Sequence, residues 1–336
     1  MDLSTIEKYD SQKIYKVYDR WAEIARKSFE SDLEPINFEG IDHIVFSGMG
    51  GSGSIGDMFS SILSKSKIHV NVVKGYVLPE TVDCNTLVVI TSVSGDTVET
   101  LSVLKYAHKI GSKIIAFSSG GKIKEYCVKN KINHRTVSMY HSPRASFTNY
   151  LYSVLKVMHS TLEIKQKDIL ESISELEKLH KKINSSNLTD SNTSLNLATW
   201  ISGIPVVYYP FGLKSAAIRF KNSFQENDKM HVFVEDVIEV CHNGIVSWET
   251  NSIVKPILLR GSDDNIKTKE RYDVIKKYFK ENNIEYEEIF SVKGNILSKL
   301  VNLIYFFDYT TIYFAILSEI DPSPVNSINY IKSKLR

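Results

Sequence analysis

The chain has 336 residues, 43% of them apolar and 24% charged. Those proportions are ordinary for a globular protein and exclude a disordered, collagenous or disulfide-scaffold chain. With 41 basic against 39 acidic residues the net charge is only +2, which argues against a dedicated nucleic-acid binder.

At roughly 100–200 residues per domain, the length allows two domains. Residues 1–16 are polar and charged and lack the apolar core of a signal peptide. The most apolar long stretch, 300–317, contains Asn302, Asp308, Thr310 and Thr311, so it reads as a buried core helix and not a membrane span. Cys84, Cys127 and Cys241 have no short-spaced pairing. They are expected as small buried thiols, which fits a reducing, cytoplasmic compartment.

In chain order, residues 1–40 form an N-terminal helical segment, with Tyr15, Tyr18, Trp21, Ile24 and Ala25 at helical spacing. Strands follow at 41–46, 69–73, 87–91, 113–117 and 135–139, with helices at 55–63 and 97–110 between them. Helices at 147–159 and 167–183 come next. The run of Ser, Asn, Thr and Asp over 185–194 reads as a linker. Beyond it strands at 204–209, 231–234, 253–259 and 286–290 alternate with helices at 214–224, 267–280 and 297–317. A last helix spans 326–335. Alternating strands and helices predict parallel sheets with helices on both faces. The expected organisation is a first domain over 41–160, a helical connection and linker over 161–194, a second domain over 195–320 and a C-terminal helix over 321–336.

Two βα turns carry chemistry. Gly48-Met49-Gly50-Gly51-Ser52-Gly53 satisfies the dinucleotide-binding pattern G-x-G-x-x-G. That reading needs an acid at the end of the second strand, and Val73-Lys74-Gly75-Tyr76 supplies none. What the glycines do license is close backbone approach to a ligand at a helix N-terminus. After the third strand comes Ser92-Val93-Ser94-Gly95-Asp96-Thr97. Its hydroxyls, backbone N–H groups and helix dipole suit one phosphate monoester without metal. Ser and Thr also cap helices, but a cap needs one hydroxyl and this loop has three. The G-x-x-x-x-G-K-[ST] signature of triphosphate sites is absent.

The Ser-x-Ser-Gly-x-Thr turn resembles the phosphosugar-binding loop of the sugar isomerase (SIS) domain family, and the glycine-rich turn resembles that family's sugar-contacting loop. Further along stand Pro143-Arg144-Ala145, Glu226-Asn227, His242-Asn243-x-x-Val246-x-Trp248-Glu249, Asp321-Pro322 and Lys332. In that order they resemble the bifunctional phosphoglucose/phosphomannose isomerases, across 41–332. Asp96 departs from the pattern, where Asn is more usual. Unless it points away or pairs with a cation, its charge is unfavourable beside a phosphate.

The resemblance implies two doubly wound parallel-sheet domains of flavodoxin-like, three-layer αβα type. It implies interconversion of glucose 6-phosphate and mannose 6-phosphate with fructose 6-phosphate. Gly50, Gly51, Ser52, Ser92, Ser94 and Thr97 would bind the substrate. Glu226 would move the proton between C2 and C1, and Arg144 would stabilise the enediolate. His242 and Lys332 would open the ring. The family implies a homodimer with the site at its interface and His242 supplied by the neighbouring chain. No cofactor, metal, nucleic acid or membrane is expected. A glucose-6-phosphate-only isomerase and a non-catalytic phosphosugar-binding regulator remain as alternatives. Regulators of this kind usually carry a DNA-binding module, and residues 1–40 offer no basic helix-turn-helix.

Overall fold

A computed structural model of the chain describes residues 1–335. Three short helices come first: α1 (Leu3–Tyr9), α2 (Tyr15–Tyr18) and α3 (Trp21–Phe29). Asp2 caps α1 by accepting from Thr5 N at 2.8 Å. The chain then divides into two compact units, one of residues 20–177 with 294–300, the other of residues 1–19, 178–293 and 301 onward.

The first unit contains β1 (His43–Ser47), α4 (Gly50–Ile62), β2 (His69–Val73), β3 (Leu87–Ser92), α5 (Val98–Ile110), β4 (Lys113–Ser118), α6 (Gly121–Lys129), β5 (Asn133–Thr136) and α7 (Phe147–Met158); α8 (Gln166–Ile183) begins in it. The strands are all parallel, in the order β2-β1-β3-β4-β5. Every residue of β1 and β3 is buried, as expected for β-branched central strands covered on both faces. Val45, Val88, Ile90 and Ala116 pack one face against α5 and α6. The other face carries Phe46, stacked on Phe59 of α4 with ring centres 5.0 Å apart. Strand order reverses between β1 and β3, so a crevice opens at their C-terminal ends. Both turns singled out in the sequence lie there.

The second unit contains α9 (Thr193–Trp200), β6 (Ile204–Tyr209), α10 (Lys214–Asp228), β7 (Phe233–Asp236), α11 (Val237–Val240), β8 (Val254–Arg260), α12 (Ile266–Glu281) and β9 (Glu287–Phe290). Most of α13 (Ile296–Leu317) and all of α14 (Asn326–Lys334) complete it. Its parallel sheet runs β7-β6-β8-β9. Val206, Tyr208 and Leu258 face Val237 and Val240 of α11 and Tyr272, Ile275 and Phe279 of α12. Both units therefore have the doubly wound parallel architecture the alternation predicts.

Helix α10 is fixed to α13 by apolar and polar contacts together. Phe220 lies 4.7 Å from Phe307 and Phe224 lies 4.9 Å from Phe314, ring centre to ring centre. Arg219 and Asp308, 2% and 0% exposed, meet at 2.6 Å. Ser223 donates to Asp308 at 2.6 Å, and Asn227 donates to Thr311 at 2.7 Å. Burial opposes the Arg219 charge, but Asp308, Tyr18 and Glu226 together more than offset it and hold the guanidinium above its ordinary pKa.

Helix α13 is long and apolar enough to cross a membrane, but 94% of its most apolar window is buried inside the chain's own fold. It is the core helix the sequence suggests. The 185–194 stretch, expected as a linker, is a packed segment. Asn192 is fully buried, caps α9 through Leu195 N at 3.0 Å and donates to Tyr313 at 3.2 Å. The cysteines also differ from expectation. Only Cys127 is buried, where burial pushes its thiol up to about 11, while Cys241 is half-buried and Cys84 exposed.

Asp308→Ala removes the buried carboxylate that faces the Arg219 guanidinium at 2.6 Å, which should cost about 3–5 kcal/mol of stability. Urea denaturation reads this as a lower midpoint at unchanged slope; a loss below about 1 kcal/mol, the range of an exposed pair, would show that the ion pair does not hold α10 in place.

Candidate active site

The glycine-rich turn is not a loop ahead of the helix. Helix α4 begins at Gly50, and Met49 is its N-cap, with no side chain capping the first turn. The Gly50 and Gly51 N–H groups therefore have no side-chain cap, while Ser52 N donates to Met49 O at 3.0 Å. Gly51 is needed for contact reasons: a Cβ there would lie 2.8 Å from Pro143 O and 3.1 Å from Arg144 N. The Pro143-Arg144 turn thus rests directly on the α4 N-terminus. Arg144, expected to hold a negative charge, is 3% exposed.

The turn after β3 is braced by its own hydroxyls. Ser52 accepts from Val93 N at 3.1 Å and so ties the two turns together. Ser92 accepts from Gly95 N at 3.1 Å and lies 3.0 Å from the Thr97 hydroxyl. Ser94 accepts from Asp96 N at 3.3 Å. Thr97 is the N-cap of α5, but its hydroxyl caps nothing in the helix. The capping alternative therefore fails at this residue. Ser52 and Ser92 are buried, whereas Ser94 is exposed and Thr97 half-buried. Gly95 has φ +78°, and a Cβ there would lie only 1.9 Å from Gly120 O, so no other residue fits.

Asp96 points to a second helix. Its Oδ1 accepts from Lys122 N at 3.0 Å, at the start of α6, whose N-cap Gly120 has no side chain to offer. A carboxylate is favoured at a helix N-terminus. That pairing occupies the charge the sequence left unexplained.

The remaining expected residues belong to the other unit. Glu226 lies in the last turn of α10, which runs four residues past the helix end expected from sequence. It is half-buried. Next to it Asn227 is fully buried and joined to Thr311. Asp228 is 1% exposed, and neither carboxyl oxygen has a hydrogen-bond partner among the described residues. Burial pushes that carboxyl well above its ordinary range.

His242 follows α11 and is exposed, its backbone N donating to Glu239 O at 2.9 Å. Glu239 accepts from Asn243 Nδ2 at 2.7 Å. Trp248 anchors this turn by donating from its indole to Tyr208 OH at 2.9 Å. Lys332 is exposed on α14, a helix with no buried residue. The structure thus joins Gly50, Gly51, Ser52, Ser92, Ser94, Thr97 and Arg144 in one unit and assigns Glu226, His242 and Lys332 to the other.

A cavity of about 380 Å³ is lined by residues of α9, β9 and α13, including Asn196, Glu287, Phe290 and Phe306; none of the expected site residues lines it. Among the described residues, no three of His, Cys, Asp and Glu group as a metal site. Sequence reasoning missed Arg219, Asp228, Lys229 and Asp308. The one available signal was the four-residue spacing of Arg219, Ser223 and Asn227, which puts three polar side chains on one helix face.

Comparison with known proteins agrees with this architecture. The SIS domain matches residues 38–160, and the bacterial phospho-glucose isomerase C-terminal SIS domain matches residues 190–335. A bifunctional phosphoglucose/phosphomannose isomerase of Caldicellulosiruptor bescii is 32% identical over 312 residues, 89% of this chain and 91% of its own. One of Aquifex aeolicus is 29% identical, covering 97% of this chain and 99% of its own. A hypothetical protein of Thermus thermophilus shares the fold with a TM-score of 0.70 at 13% identity, over 99% of this chain and 89% of that one. The identity to the Caldicellulosiruptor protein along nearly the whole of both chains places this chain in the bifunctional phosphoglucose/phosphomannose isomerase family.

Proposed function

We propose that the chain interconverts glucose 6-phosphate and mannose 6-phosphate with fructose 6-phosphate. The observation that carries this reading is the β1–β3 crevice. Two helix N-termini with uncapped first turns stand at the ends of adjacent strands, beside the accessible Ser94 and Thr97 hydroxyls and the nearly buried Arg144. Such a crevice suits a dianionic monoester, and binding energy from that unreacting group holds the reacting carbons in place.

In the opened sugar, Glu226 takes the proton from C2. The C–H electrons form the C1–C2 double bond of the enediolate, and the Arg144 guanidinium offsets the charge on its oxygens. The proton on O2 passes to O1, and the same carboxyl returns its proton to C1, giving the ketose. In reverse, return to one face of C2 gives the glucose ester and to the other the mannose ester. Rotation about C2–C3 lets one base serve both faces. His242 and Lys332 exchange protons at the ring oxygen and O1 during ring opening.

The active form is a homodimer, with His242 contributed by the second copy. Two features support this: His242 is exposed on an anchored turn, and α14 leaves Ile328, Tyr330 and Ile331 uncovered. The reaction needs no metal, because proton transfer and a fixed guanidinium supply the chemistry. A cytoplasmic location accords with three unpaired cysteines.

Glu226→Gln should lower kcat by about 10²–10⁴-fold while leaving phosphosugar affinity near the parent value, measured by steady-state kinetics and calorimetry. Retained turnover would remove Glu226 as the base. Treatment with EDTA should leave the rate unchanged, and a loss restored by added divalent metal would overturn the metal-free mechanism.

A further inference from the structure

We propose that Lys229 is a positioning residue, whose ammonium locks the last turn of α10 to the segment leading into α14. The first element carries Glu226 and the second carries Lys332, so the inference rests on the functional reading above.

The geometry is specific. Lys229 Nζ donates to Glu226 O at 2.8 Å and Asn227 O at 3.1 Å. It also reaches Asp321 O at 2.9 Å and Pro322 O at 3.3 Å. An ammonium has three hydrogens, so four carbonyl oxygens share them. The last carbonyls of a helix have no partner within it, and a lysine near the end can satisfy them. Here the same cation also holds a stretch of chain more than ninety positions away.

The backbone adds a second observation. Lys229 is the C-cap of α10 and has φ +58°, a left-handed conformation that glycine or asparagine adopts more readily. A lysine there carries a backbone penalty that its side-chain contacts offset. The distal segment is held from its other side as well. Ser323 donates to Asp10 Oδ1 at 3.0 Å, and Asp10 is fully buried. Lys229 is therefore a tie on the Glu226 side, and its loss removes four contacts that join the α10 end to the segment while Ser323 still holds the segment to Asp10. The consequence falls on chemistry and not on phosphate binding, because a base displaced by an ångström still admits substrate but transfers its proton slowly.

The test uses the full-length protein with Lys229→Gly and Lys229→Asn, both of which suit a left-handed C-cap and remove the ammonium. Each should lower kcat by about 10–100-fold with KM within about 3-fold of the parent. A kcat within about 3-fold of the parent, or a loss carried by KM instead, would overturn the proposal. So would failure of both variants to fold, since the role would then be structural. Glu226→Gln is measured alongside. If it retains turnover, the reading of Glu226 as the base fails. If it is inactive while both Lys229 variants turn over normally, only the positioning role fails.

Discussion

A guanidinium and a carboxylate buried together between α10 and α13 are the constraint on which the unit carrying Glu226 depends. Arg219 has no solvent to stabilise it, so Asp308 must face it. Ser223 then satisfies the same carboxylate, and Asn227, four residues further on, meets Thr311. Three polar contacts at four-residue spacing fix the rotation of α10 about its own axis. Glu226, seven residues after Arg219, lies at the edge of this seam. That leaves it half-buried, in keeping with the proposed role as a base that substrate must reach. The buried pair thus helps set the direction of Glu226, whose charge also acts on the Arg219 guanidinium.

The unit with the serine-rich loop, the proposed phosphate site, solves the opposite problem. Its loop must keep N–H groups and hydroxyls unspent for a ligand and still hold one shape. Ser52 and Ser92 are given over to bracing, which leaves Ser94 and Thr97 accessible. Gly95 lets the loop press on Gly120, and Asp96 caps the helix that starts there. The charge that looked unfavourable in the sequence is directed to a neighbouring helix dipole. Gly51 performs the equivalent service for Arg144 by letting the Pro143 backbone approach the α4 N-terminus.

Much of this was legible in the sequence. The strands over 69–73 and 204–209 stand where the apolar runs placed them, because those runs end at sharp polar or glycine boundaries. The helix start at Gly50 was not legible, since four glycines in six residues erase any helical preference. Helix α6 was missed because only Ile123 and Cys127 are buried on it, too few to show a period. Helix α9 was hidden by the polar run whose Asn192 is its cap. The fifth strand falls at Asn133–Thr136, two residues earlier than expected, because its partly exposed edge position removes the apolar signal. In the site, the serine-rich loop is conspicuous because its hydroxyl content exceeds what a cap needs. Lys229 is not, as one lysine among 41 basic residues whose importance lies in carbonyls brought to it by the fold.

The central claim is a single base acting on a bound phosphosugar, with a planar intermediate that can be reprotonated on either face. Incubating the purified protein with fructose 6-phosphate alone and quantifying both aldose esters tests it most directly. The account predicts that glucose 6-phosphate and mannose 6-phosphate both accumulate. Glucose 6-phosphate alone would contradict reprotonation on both faces. Neither product, with fructose 6-phosphate still bound, would leave the phosphate crevice standing and contradict the catalysis.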